Sequence, residues 1–140
     1  MLYVDTSVIV ALLTVEPKTP AVTAWYAALR DAPICADWLL TEFSSALSIK
    51  LRAGQLTKTH ARRVRKEFDL LAAGGLRLAP VSRAAFSQAA EMLKQHQHGL
   101  RAGDSLHLAV ALELGVSQMA TLDGTLAKNA RRKGLGLIKF

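Results

Sequence analysis

The fold is decided at the start of the chain, by the stretch Leu2-Tyr3-Val4-Asp5-Thr6-Ser7-Val8-Ile9-Val10-Ala11-Leu12-Leu13. Its first three residues form a short apolar run of the kind that builds a buried strand, and Asp5 closes that run. The eight residues after Asp5 are largely apolar and suit a helix that begins at this point. A strand that leads into a helix is the first part of a βαβ unit, so the stretch predicts a parallel sheet.

Strand-like and helix-like segments alternate along the rest of the chain. Prolines and glycines fall at the joins, and Gly54 and Gly115 follow two apolar stretches in the way that helix stops do. There is no internal repeat and no long linker. We therefore expect residues 1–140 to form a single α/β domain with helices on both faces of a parallel sheet. The predicted strands are 2–4, 34–36, 76–79, 118–122 and 135–140.

The composition is that of a folded protein. Apolar residues make up 51% of the chain and charged residues 21%, which are ordinary values and exclude wholesale disorder. No apolar segment approaches the roughly 20 residues that a membrane helix needs, and there is no room for a signal peptide before Asp5. The single cysteine, Cys35, cannot form an internal disulfide and suits a small core residue. We expect a cytoplasmic protein without membrane contact.

Four of the eleven acidic residues interrupt or border apolar segments, where a solvated charge is out of place. They are Asp5, Glu42, Asp104 and Asp123. Parallel strands all point the same way, so Asp5 and Asp123, each placed at the end of a predicted strand, emerge at the carboxyl edge of the sheet, where α/β folds bind ligands. The spacing of Glu42 from Leu39 and Ala46 places it on or beside the buried stripe of a helix. Spacing permits Glu42 and Asp104 to reach the same pocket and does not require it.

Each acid also has a plain structural explanation. Asp5 and Asp104 can begin helices, although Thr6 can cap the first helix equally well and leave the Asp5 carboxylate free. Asp123 precedes a glycine, a turn dipeptide in which the aspartate bonds its own backbone. Glu42 can pair with a neighbouring lysine or arginine. A purely structural role is easily expected for one of these acids, but much less so for all four at one edge of the sheet.

The chemistry of the four acids favours a bound cation. Carboxylates about 5 Å apart repel by roughly 3 kcal/mol at an effective dielectric of 20, and each raises the pKa of the other unless a cation neutralises them. Oxygen ligands without cysteine or histidine suit Mg²⁺ or Mn²⁺. Eighteen lysines and arginines give the chain a net charge of +7, which favours an anionic partner such as nucleic acid. Together the acids and the basic surroundings suggest phosphodiester hydrolysis.

Three basic clusters accompany the acids, around Lys50, in 62–66 and in 128–133. The second has a plain explanation as a solvated helix face, with Arg63 and Glu67, and Arg65 and Asp69, spaced for (i, i+4) pairs. The third follows Asp123 directly and is the best candidate for substrate contact.

The histidines are weaker candidates for a site. His96 and His98 suit a solvent-facing helix end, because two histidines without further ligands are too few for a zinc site. His107 lies within an apolar helical stretch and suits a hydrogen-bonded core residue rather than a ligand.

Four motifs, in this order and spacing, resemble a PIN-domain ribonuclease, and within that family a VapC-type toxin of a bacterial type II toxin–antitoxin pair. The resemblance spans nearly the whole chain. Each motif alone is weak evidence for the family, whereas the four motifs in this order are specific to it. The motifs are Leu2-Tyr3-Val4-Asp5-Thr6-Ser7, Thr41-Glu42-Phe43-Ser44-Ser45-Ala46-Leu47, Leu100-Arg101-Ala102-Gly103-Asp104-Ser105-Leu106-His107-Leu108-Ala109 and Ala120-Thr121-Leu122-Asp123-Gly124.

The resemblance implies a three-layer α/β/α fold around a parallel sheet and an endoribonuclease that uses Mg²⁺ or Mn²⁺. The acidic quartet Asp5, Glu42, Asp104 and Asp123 matches the family's catalytic and metal-binding set, with Asp5 and Asp104 as the main ligands. Thr121, and either Thr6 or Ser7, match small hydroxyl residues of that site. The resemblance also implies an RNA substrate, a homodimer and a cognate antitoxin protein.

One departure from the family pattern concerns a second metal position. Some relatives carry a further acid shortly after the fourth one, whereas here Gly124-Thr125-Leu126-Ala127 follows Asp123. Occupancy of a second metal position therefore stays open, and Asp123 can instead act by orienting water.

Two other functions remain as alternatives. Asp5 at the end of the first strand also suits an Asp-nucleophile phosphotransferase or phosphatase, although such enzymes usually carry a second aspartate two residues on, where Ser7 stands. The third reading is a non-catalytic module that binds RNA or a protein partner and whose acids satisfy the core. No recognised RNA-binding motif or aromatic platform supports that reading.

Overall fold

The computed structural model describes residues 1–140 and contains one five-stranded sheet in which every pair of neighbouring strands is parallel. The strand order is β3-β2-β1-β4-β5, so the first strand lies in the middle. The predicted parallel α/β architecture is confirmed. The strands are β1 Leu2–Val4, β2 Ile34–Ala36, β3 Arg77–Ala79, β4 Gln118–Ala120 and β5 Gly136–Leu137.

Three strands are shorter than predicted. The fourth was expected to run to residue 122 but ends at Ala120, because Thr121 and Leu122 leave the ladder and bond to the side chains of Asp5 and Ser7. The third begins at Arg77 rather than at 76, and the fifth covers only two residues. Asp123 therefore lies beyond the end of its strand, separated from it by two residues.

Seven α-helices connect and flank the strands. Two shorter helical turns accompany them, a π-turn at Leu71–Gly75 and a 3-10 turn at His96–His98. Gly54 and Gly115 follow the ends of two helices with φ of 71° and 62°, the left-handed conformation that glycine adopts without a steric penalty. The α-helices are α1 Thr6–Leu13, α2 Thr19–Ala27, α3 Trp38–Arg52, α4 Lys58–Leu70, α5 Arg83–Leu93, α6 Ala102–Glu113 and α7 Gly124–Arg132.

A separate hydrophobic core lies on each face of the sheet. Tyr3 belongs to the core that contains buried residues of α5, α6 and α7, whereas Val4 belongs to the core with those of α1, α3 and α4. Successive residues of a strand point to opposite faces, so neighbouring residues of β1 serve different cores. This arrangement confirms the predicted three layers.

The centre of the sheet positions the carboxyl edge. Val4 pairs with Ala120, and the Asp5 amide donates to the Ala120 carbonyl at 3.1 Å. The segments that follow β1 and β4 therefore leave the sheet side by side. Strand order reverses direction at β1, and such switch points are where α/β folds bind ligands.

No helix is both long enough and apolar enough to cross a membrane.

Burial predicts how α6 contributes to stability. Leu108, in the middle of α6, is fully buried, whereas Leu70, the last residue of α4, is 75% exposed. We expect Leu108→Ala to lower the free energy of unfolding by about 2–5 kcal/mol, the usual cost of a buried leucine deletion. The same change at Leu70 should stay within about 0.5 kcal/mol. Urea unfolding of both variants measures the difference, and equal effects would contradict the assigned packing.

Candidate active site

The four predicted acids line one cleft at the carboxyl ends of β1 and β4. The cleft has a volume of about 530 Å³. Each acid comes from a different place in the fold: the end of β1, the second turn of α3, the first turn of α6, and the residue before α7. Sequence spacing left open whether Glu42 and Asp104 reach the same pocket, and the structure brings both of them to it. The four acids are Asp5, Glu42, Asp104 and Asp123.

Asp5 is almost completely buried, with 3% of its surface exposed. Its Oδ1 accepts hydrogen bonds from Ser7 Oγ at 2.6 Å and from the Val8 amide at 3.3 Å, and its Oδ2 accepts one from Thr121 Oγ1 at 2.6 Å. The prediction that Thr6 could cap α1 and free this carboxylate was wrong, because Asp5 itself is the N-cap. Burial raises the pKa of Asp5, and these hydrogen bonds offset the rise only in part.

Hydroxyl groups join the two loops that carry Asp5 and Asp123. Ser7 Oγ donates to Asp5 and accepts from the Leu122 amide at 2.9 Å, while Thr121 Oγ1 donates to Asp5 and accepts from the Asp123 amide at 3.0 Å. Both predicted hydroxyl positions, Ser7 and Thr121, therefore hold the first acid in place.

Asp104 is the third residue of α6, not its N-cap as the sequence suggested. Arg101 is the capping residue, and the Asp104 Oδ2 accepts from the Arg101 amide at 3.4 Å. Burial raises the pKa of Asp104, and the nearby negative charge of Asp123 raises it further. The ionised form of this carboxylate is thus disfavoured by its surroundings.

Asp123 is the N-cap of α7 rather than the start of a simple turn. Its Oδ1 accepts from the Leu126 amide at 2.7 Å, which leaves Oδ2 for other partners. The Arg101 guanidinium lies 3.7 Å from this Oδ2 and also 3.7 Å from Asp104 Oδ2. Arg101 is 81% exposed, so its contacts with the two acids are solvent-screened and easily exchanged.

Glu42 has no lysine or arginine partner, which corrects one of the plain explanations for it. Its Oε2 accepts from Thr6 Oγ1 at 2.5 Å and lies 2.7 Å from His107 Nε2. Burial would raise the pKa of Glu42, but the hydrogen bonds from His107 and Thr6 outweigh burial and lower it. The nearby indole N–H of Trp38 is buried without a hydrogen-bond partner of normal geometry, yet it also favours the charged form of Glu42.

His107 belongs to the site, although the sequence predicted only a hydrogen-bonded core residue at this position. It is buried and hydrogen-bonded, as predicted, but its partner is Glu42 and it lines the cleft. Its position three residues after Asp104 on one helix was the available signal, since (i, i+3) side chains share a face. His96 and His98 lie in the 3-10 turn and do not line the cleft.

The basic residues divide into those near the cleft and those away from it. Arg101 lines the cleft, and Lys50 reaches its rim through a 2.7 Å ion pair with Glu16. The expected pairs of Arg63 with Glu67 and Arg65 with Asp69 do not form. The 128–133 cluster is mostly exposed on α7, the helix that begins beside Asp123.

The donor groups of the cleft suit a hard divalent cation. No three histidine, cysteine, aspartate or glutamate side chains are arranged to hold one ion together. Mg²⁺ commonly takes only one or two protein carboxylates and keeps several of its waters. Asp5 and Asp104 both carry charge that their surroundings disfavour, which a cation would relieve.

A second cavity, of about 610 Å³, lies at the opposite edge of the sheet. It is lined by the starts of strands and by Arg30, Asp31 and Arg77. A single acid among basic residues offers neither the carboxylate set nor the perturbed pKa values found at the carboxyl edge, so we assign the chemistry to the smaller cleft.

Several solved structures share this fold. The chain superposes on VapC20 of Mycobacterium tuberculosis, described as a sarcin–ricin loop cleaving toxin, with a TM-score of 0.73 and 19% identity over 92% of this chain and 95% of that one. It also superposes on FitAcB of Neisseria gonorrhoeae, with a TM-score of 0.74 and 19% identity over 99% and 97% of the two chains. VapBC2 of Rickettsia felis was solved bound to a DNA fragment from its promoter. The chain superposes on it with a TM-score of 0.69 and 15% identity over 100% of this chain and 99% of that one.

Comparison with curated protein sequences gives no match. The family model of the PIN domain matches residues 2–132, which include all four acids and the elements β1, α3, β4, α6 and α7 beside them. The match agrees with the parallel sheet, the three layers and the ordered motifs. The chain therefore belongs to the PIN-domain family.

Proposed function

We propose that the chain is a metal-dependent endoribonuclease that acts as the toxin of a toxin–antitoxin pair. The observation that carries the proposal is the convergence of Asp5, Glu42, Asp104 and Asp123 on one open cleft of a basic protein. Membership of the PIN-domain family supports a nuclease. The shared fold with VapC20, a toxin described as cleaving the sarcin–ricin loop, supports RNA as the substrate.

Asp5 and Asp104 would hold the metal, Mg²⁺ or Mn²⁺, while Asp123 and Glu42 line the rest of the cleft. When bound, the ion would supply neutralisation of these charges and activation of water for attack on phosphorus. Asp5 is suited to this role because hydroxyl donors fix both of its oxygens in place. Asp104 is suited because its charge is only partly compensated by Arg101.

The remaining residues would bind and orient the RNA. Arg101 is exposed and makes only long contacts with Asp104 and Asp123, so its guanidinium is available to a phosphate group. The basic face of α7 extends from the same end of the cleft and would contact the backbone further along. Single-stranded loops are the expected targets, because their nucleotides can be splayed into an open site.

The toxin role implies a cognate antitoxin and a homodimer as further parts of the proposal. The fold neighbours include VapBC2, which was solved on promoter DNA. A gene for a small DNA-binding protein beside this reading frame would support the pairing, and purification of the two proteins as one complex would test it.

The phosphotransferase alternative receives no support from the geometry. Such an enzyme usually carries a second aspartate two residues after its nucleophile, and this chain has a serine there. Ser7, which stands where a second aspartate would act, is committed to Asp5 and Leu122.

The first prediction of this proposal concerns cleavage. We expect RNA cleavage to require Mg²⁺ or Mn²⁺, to stop with a chelator, and to fall at least about hundredfold in Asp104→Asn, the scale for losing one electrostatic group of an active site. Asp31→Asn is the matched control, because Asp31 is an exposed aspartate at the opposite edge of the sheet. Cleavage of a labelled RNA pool by the three proteins measures the effect.

Two outcomes would contradict this proposal. Metal-independent cleavage that survives Asp104→Asn would exclude the carboxylate site as the source of activity. RNA binding without any cleavage, unchanged by Asp104→Asn, would favour the non-catalytic module.

The second prediction concerns stability and pH. The pKa of Asp5 is higher in the folded protein than in the unfolded chain, so folding is most favoured below the unfolded pKa and weakens as pH rises through the folded one. Asp5→Asn removes the buried charge, so we expect its melting temperature at pH 7 to exceed that of the wild type while cleavage is lost.

Thermal unfolding of the wild type and of Asp5→Asn, with and without Mg²⁺, measures the effect of this charge on stability and on metal binding. Ligand linkage predicts that Mg²⁺ raises the melting temperature of the wild type and raises that of Asp5→Asn much less. A variant that is less stable than the wild type at pH 7, with an unchanged response to Mg²⁺, would remove Asp5 from the proposed metal site.

A further inference from the structure

A chain of buried hydrogen bonds leads from the sheet to Glu42. His107 Nε2 lies 2.7 Å from Glu42 Oε2, and His107 Nδ1 lies 2.7 Å from the Tyr3 hydroxyl. The Tyr3 hydroxyl in turn accepts from the amide of Ala36 at 3.1 Å. The chain thus begins at a backbone N–H of β2, passes through a side chain of β1 and one of α6, and ends at an acid on α3.

Counting hydrogens along this chain of bonds indicates which ring nitrogen of His107 carries a hydrogen. The Tyr3 hydroxyl carries one hydrogen and already accepts one from Ala36, so its own hydrogen has His107 Nδ1 as its partner. If Nδ1 carried a hydrogen instead, the Tyr3 hydroxyl hydrogen would have no acceptor in a fully buried place, which is costly. Nδ1 is therefore the acceptor, and Nε2 carries the hydrogen that faces Glu42.

We propose that Tyr3 and His107 form a positioning relay that holds the Glu42 carboxylate in the cleft, in which the Tyr3 hydroxyl donates to His107 Nδ1 and the His107 Nε2–H donates to Glu42. The inference rests on the proposed function, because Glu42 is a member of the proposed site. His107 acts through Glu42 and is a positioning residue.

Sterics at Glu42 support the same role. Thr6 Oγ1 also donates to Oε2 and lies 3.0 Å from His107 Nε2, so two neighbouring donors fix that oxygen. The other oxygen, Oε1, lies where a Cβ at Gly103 would overlap it. Glycine at this position lets α6 approach Glu42 closely enough for His107 to reach the carboxylate. The relay residues are rigid, since Tyr3 and His107 are both buried and their rings pack edge to face.

The relay predicts different effects for two chemically identical substitutions. Tyr3→Phe removes the hydroxyl that fixes the tautomer, whereas Tyr26→Phe removes a hydroxyl that donates only to the Gly75 carbonyl at 2.8 Å. We expect kcat for RNA cleavage to fall about tenfold in Tyr3→Phe with KM unchanged, the size of one ordinary intramolecular hydrogen bond. Tyr26→Phe should keep the wild-type kcat.

The state of the imidazole provides a readout that does not depend on activity. In ¹⁵N NMR of the wild type, His107 should show hydrogen on Nε2 and none on Nδ1. Tyr3→Phe should shift this pattern towards a mixture of tautomers, and Tyr26→Phe should leave it unchanged.

A second pair of variants tests the donor itself. His107→Gln retains an N–H near the Nε2 position and should recover most of kcat, whereas His107→Leu removes the donor and should not. Because His107→Leu leaves a buried acid short of a partner and can fail to fold, Tyr3→Phe and His107→Gln decide the question when it does.

The outcomes separate this inference from the proposed function. If the wild type cleaves RNA but Tyr3→Phe behaves like Tyr26→Phe in both kcat and the ¹⁵N pattern, the relay is wrong. A wild type with hydrogen on Nδ1 also overturns it. If the wild type cleaves no RNA, the proposed function fails, and the ¹⁵N pattern of Tyr3→Phe still decides whether the relay exists.

Discussion

The parallel pairing of β1 with β4 is the constraint on which the site depends. With Val4 opposite Ala120, the chain leaves both strands at the same level, and the Asp5 amide bonds to the Ala120 carbonyl. This register places Thr121 within hydrogen-bond distance of Asp5. A shift by one residue would turn each side chain of β1 to the opposite face, exchanging Tyr3 and Val4 between two cores. The hydrophobic cores therefore determine where the first acid lies.

Two electrostatic environments exist within the one cleft. Burial raises the pKa of Asp5 and of Asp104, so ionisation of either carboxylate opposes folding. The pKa of Glu42 is instead lowered by donors that belong to the protein. An external cation would stabilise the charges of Asp5 and Asp104, whereas hydrogen-bond donors of the protein already stabilise the charge of Glu42. Asp5 and Asp104 thus require a partner, Glu42 has its partner built into the protein, and Asp123 caps α7 and faces Arg101.

Much of this arrangement could be predicted from the sequence because it follows from periodicity and strand direction. The parallel sheet, the three layers and the meeting of Asp5 with the segment after β4 depend only on the order of elements. The link between Glu42 and His107 could not be predicted, because it depends on how closely α3 approaches α6. That distance is set by the packing at Gly103, which no spacing rule describes. The strand ends were misplaced for a related reason, since Thr121 and Leu122 bond to side chains instead of continuing the ladder.

Capping and ligand binding are compatible functions of one aspartate. Asp5 and Asp123 both cap helices, each by accepting a backbone N–H on Oδ1. A cap fixes the side-chain torsions, so the second oxygen of each residue has a defined direction: Oδ2 of Asp5 meets Thr121, and Oδ2 of Asp123 meets Arg101. The N-terminal end of a helix also favours a negative charge beside it, which offsets part of the cost of gathering acids in one cleft. The sequence offered helix capping as an alternative to a functional role for these two residues. In the structure, capping is what orients their second carboxylate oxygens.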